Sequence, residues 1–238
     1  MMYTSPVALN REQHASLTIS PSPAGFRFAA EALTVMIAAS EFFDAGRCYP
    51  IIFTQTPDNS LMPLVLLGLE KSENLFVDES GKWDAPYIPA FVRRYPFITT
   101  DETDGRMTVC FDEAYDGFNL DGGLPLFENG EPTEKAREIQ AFLQDFYVRM
   151  KQTGEFSSML LELGLLRQIS AQASLEDGRK YDLNGMLVVD EQKLSLLSDS
   201  EIVRLFRNGN LALIHAHLLS LRNLGLLVTM KGKKIGRD

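Results

Sequence analysis

His215 and His217 stand two residues apart in Leu211-Ala-Leu-Ile-His-Ala-His-Leu218, and neighbouring imidazoles are the first residues to test as a metal site. On a helix that spacing turns about 200° around the axis, so the rings face opposite ways; only a strand would bring both to one face. The surrounding pattern is helical, and His217 falls with Ile214, Leu218 and Leu221 on the apolar stripe. A hydrogen-bonded core histidine is the expectation, and no metal. His14 has no spacing relation to either. Nucleophilic catalysis needs an activating context that is absent: there is no Gly-x-Ser-x-Gly elbow, and Cys48 and Cys110 lie beside apolar or aromatic neighbours as structural thiols do. No glycine-rich phosphate loop is present. Asp101-Glu-Thr-Asp104 and Asp112-Glu113 could be nominated as acid and base, but with 32 acidic residues such pairs are expected on a solvated surface. The residues therefore nominate no catalytic group, no cofactor and no metal ligand.

Recognition is the chemistry that Glu73–Phe97 could carry. This stretch gathers the one tryptophan, Trp83, with Tyr87, Phe91, Tyr95 and the adjacent Arg93 and Arg94. Arginine forks carboxylates and stacks on aromatic rings, so a ligand or partner site is nominated at Trp83, Asp84, Tyr87, Phe91, Arg93, Arg94 and Tyr95. At helical spacing Tyr87, Phe91 and Arg94 share one face, and Ile88, Val92 and Tyr95 share the next. The competing reading makes the rings core, with the arginines tying down Asp78, Asp84 or exposed carbonyls.

The elements that would position these residues follow from pattern. Asp78-Glu-Ser-Gly81 predicts a turn pairing Leu75-Phe-Val77 with Lys82-Trp83, and Asp84 is placed to cap a helix over about Pro86–Arg94, stopped by Pro96. Upstream, the pattern predicts a short strand near Leu17–Ile19, a helix from Glu31 to Ala45, and strands at Tyr49–Thr54, Leu64–Leu69 and Asn74–Asp78. Met107–Asp112 alternates as a strand, and the Gly- and Asp-rich stretch to Pro132 reads as loop. After Thr133, apolar residues from Ile139 to Met150 recur at helical spacing, and Phe156–Leu163 reads as a second short helix. Leu165–Leu175 and Tyr181–Asp190 predict a hairpin turning at Glu176-Asp-Gly178, and Ser198-Asp-Ser-Glu201 is a capping box opening a helix that ends at Asn208-Gly-Asn210. A final helix starts at about Leu211. Strands and helices segregate, so the fold class is α+β, a mixed or antiparallel sheet packed against helices with a helical C-terminal part. One domain over 1–238 is expected, with 190–238 as a helical subregion.

At 238 residues, 45% hydrophobic and 23% charged, the chain can bury a core unaided. A formal net charge of −9 and a pI near 4.9 give a field that repels phosphate backbones and anionic lipid, so nucleic acid is not expected as a partner. The cations of Lys231–Arg237 are read as a frayed tail after a helix. Membrane insertion is not expected either, because Leu61–Leu69 and Leu211–Leu221 fall short of the roughly 20 residues that span a bilayer. No basic n-region followed by an apolar h-region opens the sequence, and two thiols make no disulfide framework, so Cys48 and Cys110 are expected buried and reduced in a cytoplasmic protein.

Several ordered motifs resemble the bacterial SapC family: Ser40-Glu-Phe42, Tyr49-Pro-Ile-Ile-Phe53, Asn74-Leu-Phe-Val-Asp78 with its glycine turn and Trp83-Asp84, Tyr87-Ile-Pro-Ala-Phe-Val-Arg-Arg-Tyr-Pro-Phe97, Leu126-Phe-Glu-Asn-Gly-Glu-Pro132 and His215-Ala-His-Leu-Leu-Ser-Leu221. The resemblance spans nearly the whole chain and carries over no catalytic residues. The family is named for an association with bacterial surface layers, and its genes often neighbour those of flavin-dependent halogenase-like and cupin-like proteins. Residues and resemblance together lead to a cytoplasmic accessory or binding protein that recognises a peptide, an amino-acid-like ligand or a protein partner. An enzyme working beside a halogenase or a cupin-like oxygenase, and a surface-layer or export component, are the alternatives that the resemblance implies.

Overall fold

The computed structural model describes residues 2–101, 107–175 and 177–236. Its centre is a five-stranded antiparallel sheet. β1 (Pro6–Ala8) and β2 (Thr18–Ile19) precede β3 (Thr34–Met36), after which come α1 (Phe42–Ala45), β4 (Ile51–Gln55) and β5 (Leu61–Leu66). Next are α2 (Ala90–Arg93), β6 (Phe97–Asp101), β7 (Met107–Asp112), and the short pieces β8 (Leu124–Pro125), β9 (Phe127–Glu128) and β10 (Glu131–Pro132). The long α3 (Glu134–Glu162) leads to the hairpin β11 (Leu166–Ser174) and β12 (Lys180–Val189), and α4 (Glu191–Ser195), α5 (Asp199–Arg207), α6 (Asn210–Ser220) and α7 (Leu224–Ile235) complete the described chain. The large sheet runs β11-β12-β4-β5-β3, and β1-β7-β6 form a second one. In β4, Ile51, Ile52 and Phe53 are all buried although alternate side chains point to opposite faces, so the sheet is covered on both sides there. The arrangement is α+β.

Three predicted elements take other bounds in the structure. Glu31–Ala45 is not one helix: Thr34-Val-Met36 pairs as an edge strand with Leu64–Leu66, and only a 3-10 turn at Ala39–Glu41 and α1 are helical. The sheet edge outweighs the segment's weak helical preference, which β-branched Thr34 and Val35 already lower. α2 covers Ala90–Arg93 and is capped by Pro89, not by Asp84. Pro86 and Pro89 each push the preceding residue out of the helical region, so no helix forms before Pro89. In α3 the helix runs through Gly154 without a break, because Thr153, Phe156, Ser157 and Leu160 extend the buried stripe of Leu143 and Phe146.

Smaller differences have similar causes. The Asp78–Gly81 turn forms, with Gly81 at φ +84° and its N–H donating to the Asp78 carbonyl, but the expected strand Asn74–Asp78 is reduced to a bridge between Val77 and Trp83. Asn74 spends its side chain on the Phe76 N–H and the Ala29 carbonyl, in competition with a ladder. At the β11–β12 turn Glu176 lies outside the described residues. The Ser198–Glu201 capping box is present as the spacing predicts.

At the C-terminus, Leu211–Leu221 is part of a continuous helical run, Asn210–Ile235, of 26 residues and mean hydropathy 1.5. By length and composition it is long and apolar enough to cross a membrane, which the shorter sequence stretch did not suggest. Lys231 does not belong to a frayed tail: its side chain is 7% exposed and its Nζ donates to Glu70 and, at 2.6 Å, to Glu73. Burial works to lower its pKa, but those two carboxylates outweigh it and hold the ammonium above the ordinary lysine value. Arg237 lies outside the described residues.

Candidate functional site

The segment Trp83–Tyr95 is nailed down by two buried carboxylates. Glu41, 6% exposed, accepts through Oε1 from the Tyr87 hydroxyl at 2.5 Å and the Ala90 N–H at 2.8 Å, and through Oε2 from the Ala38 N–H at 2.9 Å. At the other end Asp112, 0% exposed, accepts from the N–H groups of Thr4 and Ser5 at 2.8 Å and from the Tyr95 hydroxyl at 3.2 Å. Asp112 is thus no member of a solvated surface pair. Of the other carboxylates considered with it, Glu102 and Asp104 lie outside the described residues, as does the side chain of Asp101.

Between these anchors the nominated residues are placed as follows. Trp83 is buried and donates its indole N–H to the Tyr49 hydroxyl at 2.8 Å; Tyr49 in turn donates to the Tyr87 carbonyl. Burial, and then the hydrogen bond and charge of Glu41, push the Tyr87 phenol well above the usual range, while burial does the same to Tyr49. Neither phenol ionises near neutral pH. Tyr95 stacks on Phe28 with ring centroids 4.0 Å apart, and burial followed by the charge of Asp112 raises its pKa too. The half-buried Arg94 guanidinium lies 4.2 Å from the Phe91 ring centroid and 5.0 Å from that of Phe146, and burial lowers its pKa. Its Nε is buried without a hydrogen-bond partner among the described residues. Arg93 is exposed, donates from Nε to the Ile88 carbonyl at 2.9 Å, and sits over Phe142 at 5.2 Å. Asp84 is exposed. The structure therefore brings Trp83, Tyr87, Phe91, Arg94 and Tyr95 into packed contact networks and leaves Asp84 and Arg93 at the surface.

Beyond Glu41 the same network reaches a cleft. The Ala39 N–H donates to Thr153 Oγ1 at 2.8 Å, and the Thr153 hydroxyl donates to the Arg149 carbonyl at 2.7 Å. Ala39, Ser40 and Thr153 line a cleft of about 640 Å³ between α3 and the α5–α6 turn. Phe156, Met159, Leu205 and Leu213 supply its apolar wall; Arg149 and Arg204 bring guanidinium groups, and Glu155 and Glu162 bring carboxylates. Arg149 also donates to Asp145 at 2.5 Å, which raises its pKa.

Sequence reasoning missed Glu41 and Asp112 as anchors and Arg149 and Arg204 as cleft residues. Glu41 stood inside the Ser40-Glu-Phe42 motif, a usable signal. For the arginines no local signal exists, since residues on α3 and α5 meet only in the fold. Cys48 and Cys110 are buried free thiols, as expected, and burial raises the pKa of Cys48. His217 is buried on α6, where its Nε2 accepts from the Val189 N–H at 3.1 Å, while His215 on the opposite side is exposed. Among the described residues no group of three or more His, Cys, Asp or Glu side chains could hold a metal ion.

No curated protein and no solved structure matches the chain. The SapC family model matches residues 9–227 and so takes in both anchors, the aromatic segment and the cleft. The chain belongs to the SapC family.

Proposed function

We propose that this SapC-family chain is a cytoplasmic accessory protein that binds an amino-acid-like or short peptide ligand in the cleft between α3 and the α5–α6 turn. The observation that carries the reading is the lining of that cleft, where two guanidinium groups and two carboxylates surround an apolar wall of Phe156, Met159, Leu205 and Leu213. Guanidinium forks a ligand carboxylate, carboxylates take an ammonium, and the wall accepts a side chain. A zwitterion with an apolar substituent matches all three. The Trp83–Tyr95 segment serves this site at one remove: through Glu41 it fixes Ala38–Glu41, whose Ala39 and Ser40 form part of the lining. Asp84 and Arg93, exposed on that segment, are the members within reach of a protein partner. With only two cysteines the chain has no disulfide framework of the kind small secreted domains rely on, which is the basis for the cytoplasmic reading.

Thermal unfolding of the chain in the presence of each L-amino acid and a set of dipeptides tests the proposal. A ligand at a hundred times its dissociation constant adds about 2.7 kcal/mol, visible as a raised Tm. Arg204→Ala, at an exposed site, should abolish the shift and leave the unliganded stability within about 0.5 kcal/mol. If no compound raises Tm, or if Arg204→Ala preserves the shift, the cleft is not the ligand site.

A further inference from the structure

The acidic balance of the chain is not spread evenly. From Ile202 to Gly236 there are cations at Arg204, Arg207, Arg222, Lys231, Lys233 and Lys234 and not one carboxylate, in a protein of net charge −9. The same region holds the apolar helical run Asn210–Ile235, and only 28% of its apolar 18-residue window is buried.

The inner side of that run is anchored. His217 accepts from the Val189 N–H, Ser220 Oγ accepts from the Ile51 N–H at 2.9 Å, Asn223 donates to the Gly46 and Tyr49 carbonyls, and Lys231 meets Glu73. Its outer side is a stripe at alternating spacings of three and four: Ala212, His215, Leu219, Arg222, Leu226, Thr229 and Lys233 are all exposed. Leu219 is 61% and Leu226 40% exposed. α5, packed against α6, exposes Val203 and Phe206 next to Arg204 and Arg207. Large apolar side chains interleaved with cations, on α6 and α7, which hold no acidic residue, and on the last turns of α5, form a surface of defined chemistry.

We propose that the outer face of α6 and α7, with α5 beside it, docks on the surface of an anionic lipid bilayer. Arg222, Lys233 and Lys234 meet the phosphate headgroups, and Leu219 and Leu226 enter the boundary between headgroups and acyl chains. Charge segregation orients the approach, because the acidic body is repelled by the same headgroups that attract the basic helices. The helix does not span: the buried contacts of His217, Ser220, Asn223 and Lys231 keep its inner side on the sheet. The surface borders the cleft at Arg204, but Leu219, Arg222, Leu226 and Lys233 lie outside the cleft lining, so the variants below leave every cleft residue intact.

Sedimentation of the full chain with vesicles of phosphatidylglycerol and phosphatidylcholine, against vesicles of phosphatidylcholine alone, reads the proposal directly. Binding is expected to the anionic vesicles at low salt and to weaken as salt rises. Arg222→Gln with Lys233→Gln should weaken it roughly twenty-five-fold, from about five-fold per surface cation. Leu219→Ser with Leu226→Ser should weaken it as well, and both double variants should keep the circular dichroism spectrum and Tm of the parent. Equal binding to neutral vesicles, no binding to either, or unchanged binding by both variants would overturn the proposal, as would retention in the vesicles after an alkaline carbonate wash, which marks a spanning helix.

Discussion

A buried polar side chain costs free energy unless its partners are in place, and Glu41, Asp112 and His217 illustrate two ways of limiting that cost. Glu41 and Asp112 are surrounded by N–H and phenol donors. His217 is held as the neutral ring: Nε2 accepts from Val189, so the ring proton sits on Nδ1, which is buried without a partner among the described residues. Burial lowers its pKa from 6.5 to about 4. Between those values the unfolded chain takes up a proton that the native ring refuses, so stability is complete above about pH 6.5 and falls as the pH drops toward 4, by about 3 kcal/mol for this group. Urea unfolding at a series of pH values should show that slope, and His217→Gln, whose carbonyl can accept the same bond, should lose it.

Among the elements, α7 is fixed to the rest of the fold by the ion pairs of Lys231 with Glu70 and Glu73 as well as by its apolar residues. Lys231 and Glu73 are each 7% exposed, Glu73 also accepts from the Leu69 N–H, and the Lys231 ammonium lies 5.1 Å from the Tyr181 ring centroid. Removing one partner strands the other charge. Lys231→Met should destabilise the protein by about 3–5 kcal/mol in urea unfolding, and adding Glu73→Gln should recover most of the loss, because the pair itself contributes little net stability. α2 shows the opposite case: a single turn between Pro89 and the Tyr95-Pro96 dipeptide is too short to be stable alone, and the Glu41 carboxylate supplies the acceptor that its first N–H needs.

Across the whole molecule, α3 joins two apolar clusters. Phe156 and Leu160 belong to the large one around the five-stranded sheet, and Leu143 belongs to a small one with Leu17, Phe97, Phe111 and Leu126. A helix of 29 residues that contributes to both should couple their unfolding. Leu143→Ala should cost about 3 kcal/mol and shift the fluorescence of Trp83, which lies in the other cluster, by the same amount as the far-ultraviolet circular dichroism. A circular dichroism transition that moves ahead of the Trp83 signal would show that the two clusters unfold separately.

Local pattern sufficed where an element's partner lies along its own chain. The 3.6-residue stripe of α3, the capping box of α5, the β11–β12 hairpin and the Asp78–Gly81 turn are close-range matters of spacing and backbone preference, and so were legible. The geometry that sends His215 and His217 to opposite sides belongs with them. The uneven charge was equally present in the sequence, but the total of −9 hides a basic C-terminal segment unless the sum is taken region by region. Only tertiary structure could decide the rest: that Thr34–Met36 would be claimed by a sheet edge, that Asp112 would be fully buried, that Lys231 would find Glu73, and that Arg149 and Arg204 would face one cleft. Each of these depends on a contact between residues dozens to more than a hundred positions apart or on the environment that such contacts create, and the free energy of such a contact is absent from the local pattern.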